Sequence, residues 1–208
     1  MKHLLKKMRE VGIINCIVGF LKREKYKRMQ KTYHFDSWHI SPYELRKYLQ
    51  ATVDYINSKD VQTVVDIGCG LGEMLRRIKA ENRIGMDVHE ETIRAAEKLS
   101  KGDITYRVGS FQELQIEKPI DYLVTLGFMH GGTEETWRMP YRDVANRNHI
   151  LHFIVDTVPE EGDSHHLNFS DILPDHYRLV DKMGPFLGGR YIEVYGLNRK
   201  SMPEIRHK

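Results

Sequence analysis

From Val61 to Thr157, short apolar runs alternate with stretches of helical periodicity, and no other feature of the 208 residues constrains the fold as tightly. "VQTVVDIG", "NRIGMDV", "DITYRVGS", "IDYLVTLGF" and "HILHFIVDTV" read as strands. "LGEMLRRIKAE", "EETIRAAEKLS" and "TEETWRMPYRDVANR" read as helices, the last interrupted by Pro140. Strands separated by helices run parallel, because each helix must cross back over the sheet. The expectation is an open α/β sheet. "DHYRLVDKM" and "RYIEVYGLN" are joined only by "GPFLGG", too short for a crossover, so they should be antiparallel neighbours.

The first 58 residues have a different character. Leu4, Leu5, Met8, Val11, Ile14, Ile17, Val18 and Leu21 recur at helical spacing, which predicts helix over 2–30 with a break or bend near Gly12 and Gly19. "SPYELRKYLQATVDYIN" predicts a second helix, with Ser41 as cap, Pro42 at the first position and Glu44 completing a capping box. The organisation expected is a basic helical arm and lid over 1–58, a ligand-binding domain over 59–200 and a basic tail over 201–208. The net charge of +3 is concentrated at the two ends, leaving a mildly acidic body. No apolar run approaches the roughly 20 residues that span a bilayer. "VGIINCIVGFL" lacks a small-residue cleavage site, so a secretory signal is not expected. Two cysteines make neither a disulfide framework nor a metal cluster and fit a reducing cytoplasm.

"VVDIGCGLGE" (Val64 to Glu73) raises the question of function. In an open α/β sheet ligands bind beyond the carboxyl ends of the strands, at the switch point of strand order. Gly68, Gly70 and Gly72 fall where the first strand ends, and a turn without side chains lets a ligand lie on the backbone. The start of the following helix would offer N–H groups to an anion. Asp87 ends the next strand, 21 residues after Asp66, where a carboxylate can accept from both hydroxyls of a ribose. A nicotinamide dinucleotide asks for G-x-G-x-x-G, and here the third glycine comes one residue early.

The acid-x-G-x-G-x-G pattern, "GMD" at the second strand and "VGSF" at the third resemble the class I methyltransferases that use S-adenosylmethionine, over about residues 60 to 200. The resemblance implies a seven-stranded doubly wound sheet of order 3-2-1-4-5-7-6. It implies that Asp66 meets the methionine amino group, with Gly68, Cys69 and Gly70 against the methionine and ribose. Asp87 would hold the ribose hydroxyls, Val88 would lie against the adenine, and Ser110 and Phe111 would stand where the adenine amino group is received. Many members carry Asp at the position of Ser110. Leu126 and Gly127 would border the sulfonium. Cys69, with no basic neighbour in sequence, reads equally as a small packing residue.

"YHFDSWHISPYELRKYL" gathers Tyr33, Phe35, Trp38 and Tyr43 beside His34, Asp36 and His39. It either folds over the cofactor as a lid, with Trp38, Tyr43 and Arg46 toward the methionine, or covers the sheet edge. The same stretch resembles small methyltransferases found with bacterial surface-polysaccharide genes, which implies a sugar hydroxyl or sugar phosphate as acceptor. A hydroxyl acceptor needs a base. His130, just past the fourth strand, has an unperturbed pKa of about 6.5 that suits the task. Asp156, ending the fifth strand, is the second candidate. His165, His166, Trp137, Arg138, Tyr141 and Arg190 are candidates to line the acceptor pocket. Asp156 with either of the two histidines could ligate a divalent metal, but no tight spacing supports one and none is expected.

No N-P-P-Y or Pro-Cys follows the fourth strand, and the body is acidic, so a nucleic-acid acceptor is not favoured. The expected activity is O-methylation of a small molecule or glycan. An RNA methyltransferase and a non-catalytic cofactor-binding protein are the rivals. Residues 1–31 could lie on an anionic membrane face or dock on the domain or a second subunit.

Overall fold

A computed structural model describes residues 2–127, 132–158 and 167–198, with side chains from residue 5 onward. Its elements in chain order are α1 (Lys2–Val11), α2 (Ile13–Tyr33), α3 (Lys47–Asn57), β1 (Thr63–Ile67), β2 (Asn82–Asp87), α4 (Glu90–Leu99), β3 (Thr105–Val108), β4 (Ile120–Thr125), α5 (Glu134–Arg147), β5 (Ile150–Thr157), α6 (Phe169–Ile172), β6 (Tyr177–Phe186) and β7 (Arg190–Leu197). One seven-stranded sheet has the order β3-β2-β1-β4-β5-β7-β6. The first five strands pair in parallel, and β7 is antiparallel to both its neighbours. The expected fold class and strand order are those observed.

Alternation along β1 sends Val65 and Ile67 to one face and Val64 to the other. On the first face Tyr141 and Val144 of α5 and Phe169 of α6 pack over Leu123 and Phe153. On the second, Leu49, Val53 and Ile56 of α3 pack over Val124, Ile154 and Val194. Both faces are covered at the centre of the sheet, so β1, β4 and β5 read as nearly continuous apolar runs.

Four expectations of local structure fail, each for a visible reason. The stretch 71–81 forms only a short 3₁₀ turn, Leu75–Arg77. Gly72 sits at φ 66, outside helical space. The carbonyls of Leu71 and Glu73, which a helix would spend on N–H groups four residues on, accept instead from the guanidinium groups of Arg76 and Arg77. The helix expected from Pro42 begins at Lys47. Glu44 makes no capping box, because its carboxylate accepts from Lys22 and, at 2.7 Å, from Arg77. Two cations outweigh one backbone N–H. Pro140 lies inside an uninterrupted α5. The carbonyl it leaves without a donor belongs to the exposed Thr136, where water can serve. The arm breaks at Gly12 (φ 85) but not at Gly19. Gly19 is a contact point, for a Cβ there would stand 2.5 Å from Leu45 Cγ.

The arm is docked. Glu10 of α1 accepts from the Leu187 N–H in the β6–β7 connection at 2.7 Å. Cys16, Gly19 and Tyr26 of α2 are buried. Both cysteines are free thiols. Among the described residues no helix is long and apolar enough to cross a membrane.

Candidate active site

The site forms where β1 and β2 end side by side, Asp66 opposite Gly85 and Ile67 opposite Met86. The chain leaves β1 through Gly68, Gly70 and Gly72, at φ 77, 52 and 66, a left-handed run that glycine alone takes without strain. The N–H groups of Gly68 and Cys69 donate to Met86 O at 2.8 and 2.9 Å and pin the turn to β2. Asp87 Oδ2 accepts from the Gly70 N–H at 3.1 Å, and Oδ1 accepts from the His89 N–H at 3.1 Å. One carboxylate thus fixes the glycine turn and the entry to α4.

Asp66 is 5% exposed and accepts no hydrogen bond from the described residues. Burial, with the Asp87 charge added, pushes its carboxyl up to about 8. Burial also raises the neighbouring Cys69 thiol well above its usual value, with Asp66 and Asp87 adding to the shift, so Cys69 packs as an inert thiol. The site therefore holds a protonated acid that would ionise readily beside a cation.

The segment before α3 folds onto this turn. His39 covers Gly70 so closely that a Cβ there would stand 2.8 Å from its Nδ1. Burial lowers the His39 pKa against the pull of Asp87 and Asp36. Trp38 turns outward and is 80% exposed. The Tyr43 N–H and Arg46 Nη2 both reach Glu73 Oε2, at 2.7 and 3.0 Å, and Tyr26 of α2 donates to Glu73 Oε1 at 2.6 Å. Tyr43 also stacks under the Arg77 guanidinium, 4.0 Å from its ring centre. The acid that ends "VVDIGCGLGE" is therefore the anchor that ties α2 and the segment before α3 to the turn. A sequence signal existed, a buried-looking acid directly after a glycine turn, but its three partners lie 27 to 47 residues away.

Beyond the ends of β2 and β3, Val88 is half exposed, Ser110 donates its N–H to Glu113 at 2.8 Å, and Phe111 is buried against Trp137 and Tyr141. On the other side of the turn the Gly127 N–H donates to Asp156 Oδ1 at 2.8 Å, next to Leu126. Arg190 pairs with Asp156 Oδ2 and lies over the Tyr48 ring at 4.8 Å. Asp156 is thus engaged by the Gly127 N–H at one oxygen and by the Arg190 guanidinium at the other. Tyr48, unmarked in the sequence, faces the same spot: its hydroxyl is 3.9 Å from a Cβ built on Gly127. Tyr141 is wholly buried and shares a hydrogen bond of 2.5 Å with Thr125, and Arg138 donates to the Asp171 carbonyl. His130, His165 and His166 lie outside the described residues.

Residues 64–146 match the family model described as a methyltransferase domain. No curated protein matches the chain. Among solved structures, the N-methyltransferase NodS from Bradyrhizobium japonicum WM9, in complex with S-adenosyl-L-homocysteine, aligns at a TM-score of 0.63 and 14% identity, over 83% of this chain and 97% of that one. Magnesium protoporphyrin IX methyltransferase from Synechocystis PCC 6803, with bound S-adenosylmethionine, aligns at 0.61 and 14%, over 88% and 96%. The small RNA methyltransferase HEN1 aligns at 0.56 and 18%, over 75% of this chain and 25% of that one. At such identities the likeness establishes the fold.

Proposed function

We propose that this chain, which carries a methyltransferase domain over residues 64–146 in a seven-stranded methyltransferase fold, methylates a hydroxyl of a small molecule or glycan, with a sugar or sugar phosphate as the acceptor class. The cofactor is S-adenosylmethionine, whose sulfonium activates the methyl group for transfer.

The observation that carries the reading is the pair of buried carboxylates at one glycine turn. Asp87 is held rigidly by two backbone N–H groups, and its remaining lone pairs can accept from ribose hydroxyls. Asp66 stands with no described donor of its own, a counter-charge for an ammonium group. The bare backbone of Gly68 and Gly70 admits the chain between them. His39 and the segment anchored at Glu73 cover the turn on that side.

Transfer is an in-line displacement: the acceptor oxygen forms its bond to the methyl carbon as the carbon–sulfur bond breaks, with the electron pair left on sulfur. Most of the acceleration available comes from alignment. The proton leaving the acceptor hydroxyl passes to His130, the base we assign because it follows β4, three residues after Gly127. Tyr48 and the Arg190–Asp156 pair border the acceptor side, and Arg190 supplies positive charge there.

A small acceptor fits the acidic body better than a polynucleotide does. The test follows radiolabelled methyl from S-adenosylmethionine onto a panel of sugars, nucleotide sugars and lipid-linked sugars, with RNA alongside. Labelling of a hydroxyl compound, lost in His130→Ala with cofactor affinity retained, supports the reading. Labelling of RNA alone, or full turnover in His130→Ala across the pH range, refutes it.

A further inference from the structure

α2 is covered on one side only. Its buried residues Cys16, Gly19 and Tyr26 lie within about 80° of one another around the helix axis. The opposite side is not polar. Ile14, Ile17, Val18 and Leu21 face away from it, Ile13 and Phe20 lie on its flank, and all six are exposed, Ile14 at 78% and Leu21 at 69%. Single exposed apolar side chains are ordinary, but six within nine residues of one helix form a contact surface. The same outward side then changes character, continuing as the exposed Lys25, Arg28 and Lys31. The arm over 1–33 carries ten lysines and arginines against two glutamates, leaving 22 basic against 27 acidic residues in the rest. Both glutamates are engaged, Glu10 by the Leu187 N–H and Glu24 by Lys27.

We propose that the outward face of α2 lies in the interface of a bilayer that carries anionic lipid. The apolar half enters the boundary of the acyl chains, and Lys25, Arg28 and Lys31 meet the headgroups. The charge pattern argues for lipid over a second copy of the chain. A parallel pair of α2 helices would set these cations against their own copies. An antiparallel pair would bury only the Ile13–Leu21 patch, about 13 Å of one helix. A strip of that length and roughly 10 Å wide is far short of the roughly 800 Å² per partner of a stable interface. The arm is fixed to the domain at both ends, by Glu10 at the β6–β7 connection and by Tyr26 at Glu73. Docking would therefore hold the cofactor turn at a set height over the membrane.

The test is flotation of the full chain with phosphatidylcholine vesicles, with and without phosphatidylglycerol, over a range of salt. The proposal expects binding to the anionic vesicles that weakens as salt rises, and a loss of about tenfold or more in partitioning for Ile14→Glu with Leu21→Glu. Both side chains are exposed, so this variant should keep its melting temperature and its affinity for S-adenosylmethionine. Flotation with neither vesicle overturns the proposal, as does equal flotation with both. It is also overturned if sedimentation equilibrium finds a dimer that the same double substitution dissociates.

Discussion

Glu73→Gln tests the claim that α2, the segment before α3 and the glycine turn are one mechanical unit. The carboxylate is 3% exposed and accepts from Tyr26 Oη at 2.6 Å, the Tyr43 N–H at 2.7 Å and Arg46 Nη2 at 3.0 Å. Hydrogen bonds to a charged group contribute about 1.5–3 kcal/mol each. Arg46 is 27% exposed on its side chain, so its share falls toward the low end. Glutamine keeps one acceptor oxygen and turns an NH₂ toward donors, so the loss should be about 3 kcal/mol. For a domain of this size that lowers Tm by about 6–12 °C. Calorimetry gives the stability, and limited trypsin digestion reports on the arm, whose exposed Lys25, Lys27, Arg28 and Lys31 become better targets as α2 loosens. Tyr26→Phe in the same background should show a coupling of about 1–2 kcal/mol with Glu73→Gln. A loss under about 1 kcal/mol with an unchanged digestion rate would refute the reasoning.

Two further consequences concern the turn itself. Asp66 is held protonated up to about pH 8, whereas an unfolded aspartate ionises near 3.9. Its contribution to stability is therefore full below about pH 4 and is given up as pH rises toward 8. Asp66→Asn should flatten the fall of Tm between pH 5 and 8. An ammonium ligand calls for the ionised acid, so S-adenosylmethionine affinity should rise with pH up to about 8, by as much as tenfold per unit, and the asparagine variant should lose that slope. A proton count from titrations in buffers of different ionisation enthalpy checks it, and no proton released near pH 7 contradicts it. Gly72→Ala should cost about 2–4 kcal/mol, because φ is 66 and the new methyl would meet the Tyr106 hydroxyl at 1.9 Å. Gly12→Ala, at φ 85 with nothing within 4 Å, should cost only the backbone strain of about 1–2 kcal/mol. Equal losses in chemical denaturation would contradict the packing argument.

The sheet was legible because its central strands β1, β4 and β5 are short and apolar and its strands are separated by helices or turns, and local pattern decides such elements. The glycine turn and Asp87 were legible because their spacing within the chain fixes their geometry. What escaped was decided by groups distant in sequence. Arg76 and Arg77 draw the carbonyls that a helix over 71–81 would need, and Lys22 with Arg77 draws Glu44 from its expected cap. Gly19 reads as a helix breaker until Leu45 is placed against it. Trp38 reads as a lid residue, yet His39 is the one seated on Gly70. In each case tertiary packing overrode a sound local preference.

The most direct measurement is isothermal titration of S-adenosylmethionine into the purified chain and into Asp87→Ala, with NAD as the control ligand. The wild type should bind one equivalent and ignore NAD. The variant, missing two charge-assisted ribose contacts of about 1.5–3 kcal/mol each, should bind at least about 100-fold more weakly. Absence of heat with the wild type, or equal affinity in the variant, would contradict the assignment of this crevice.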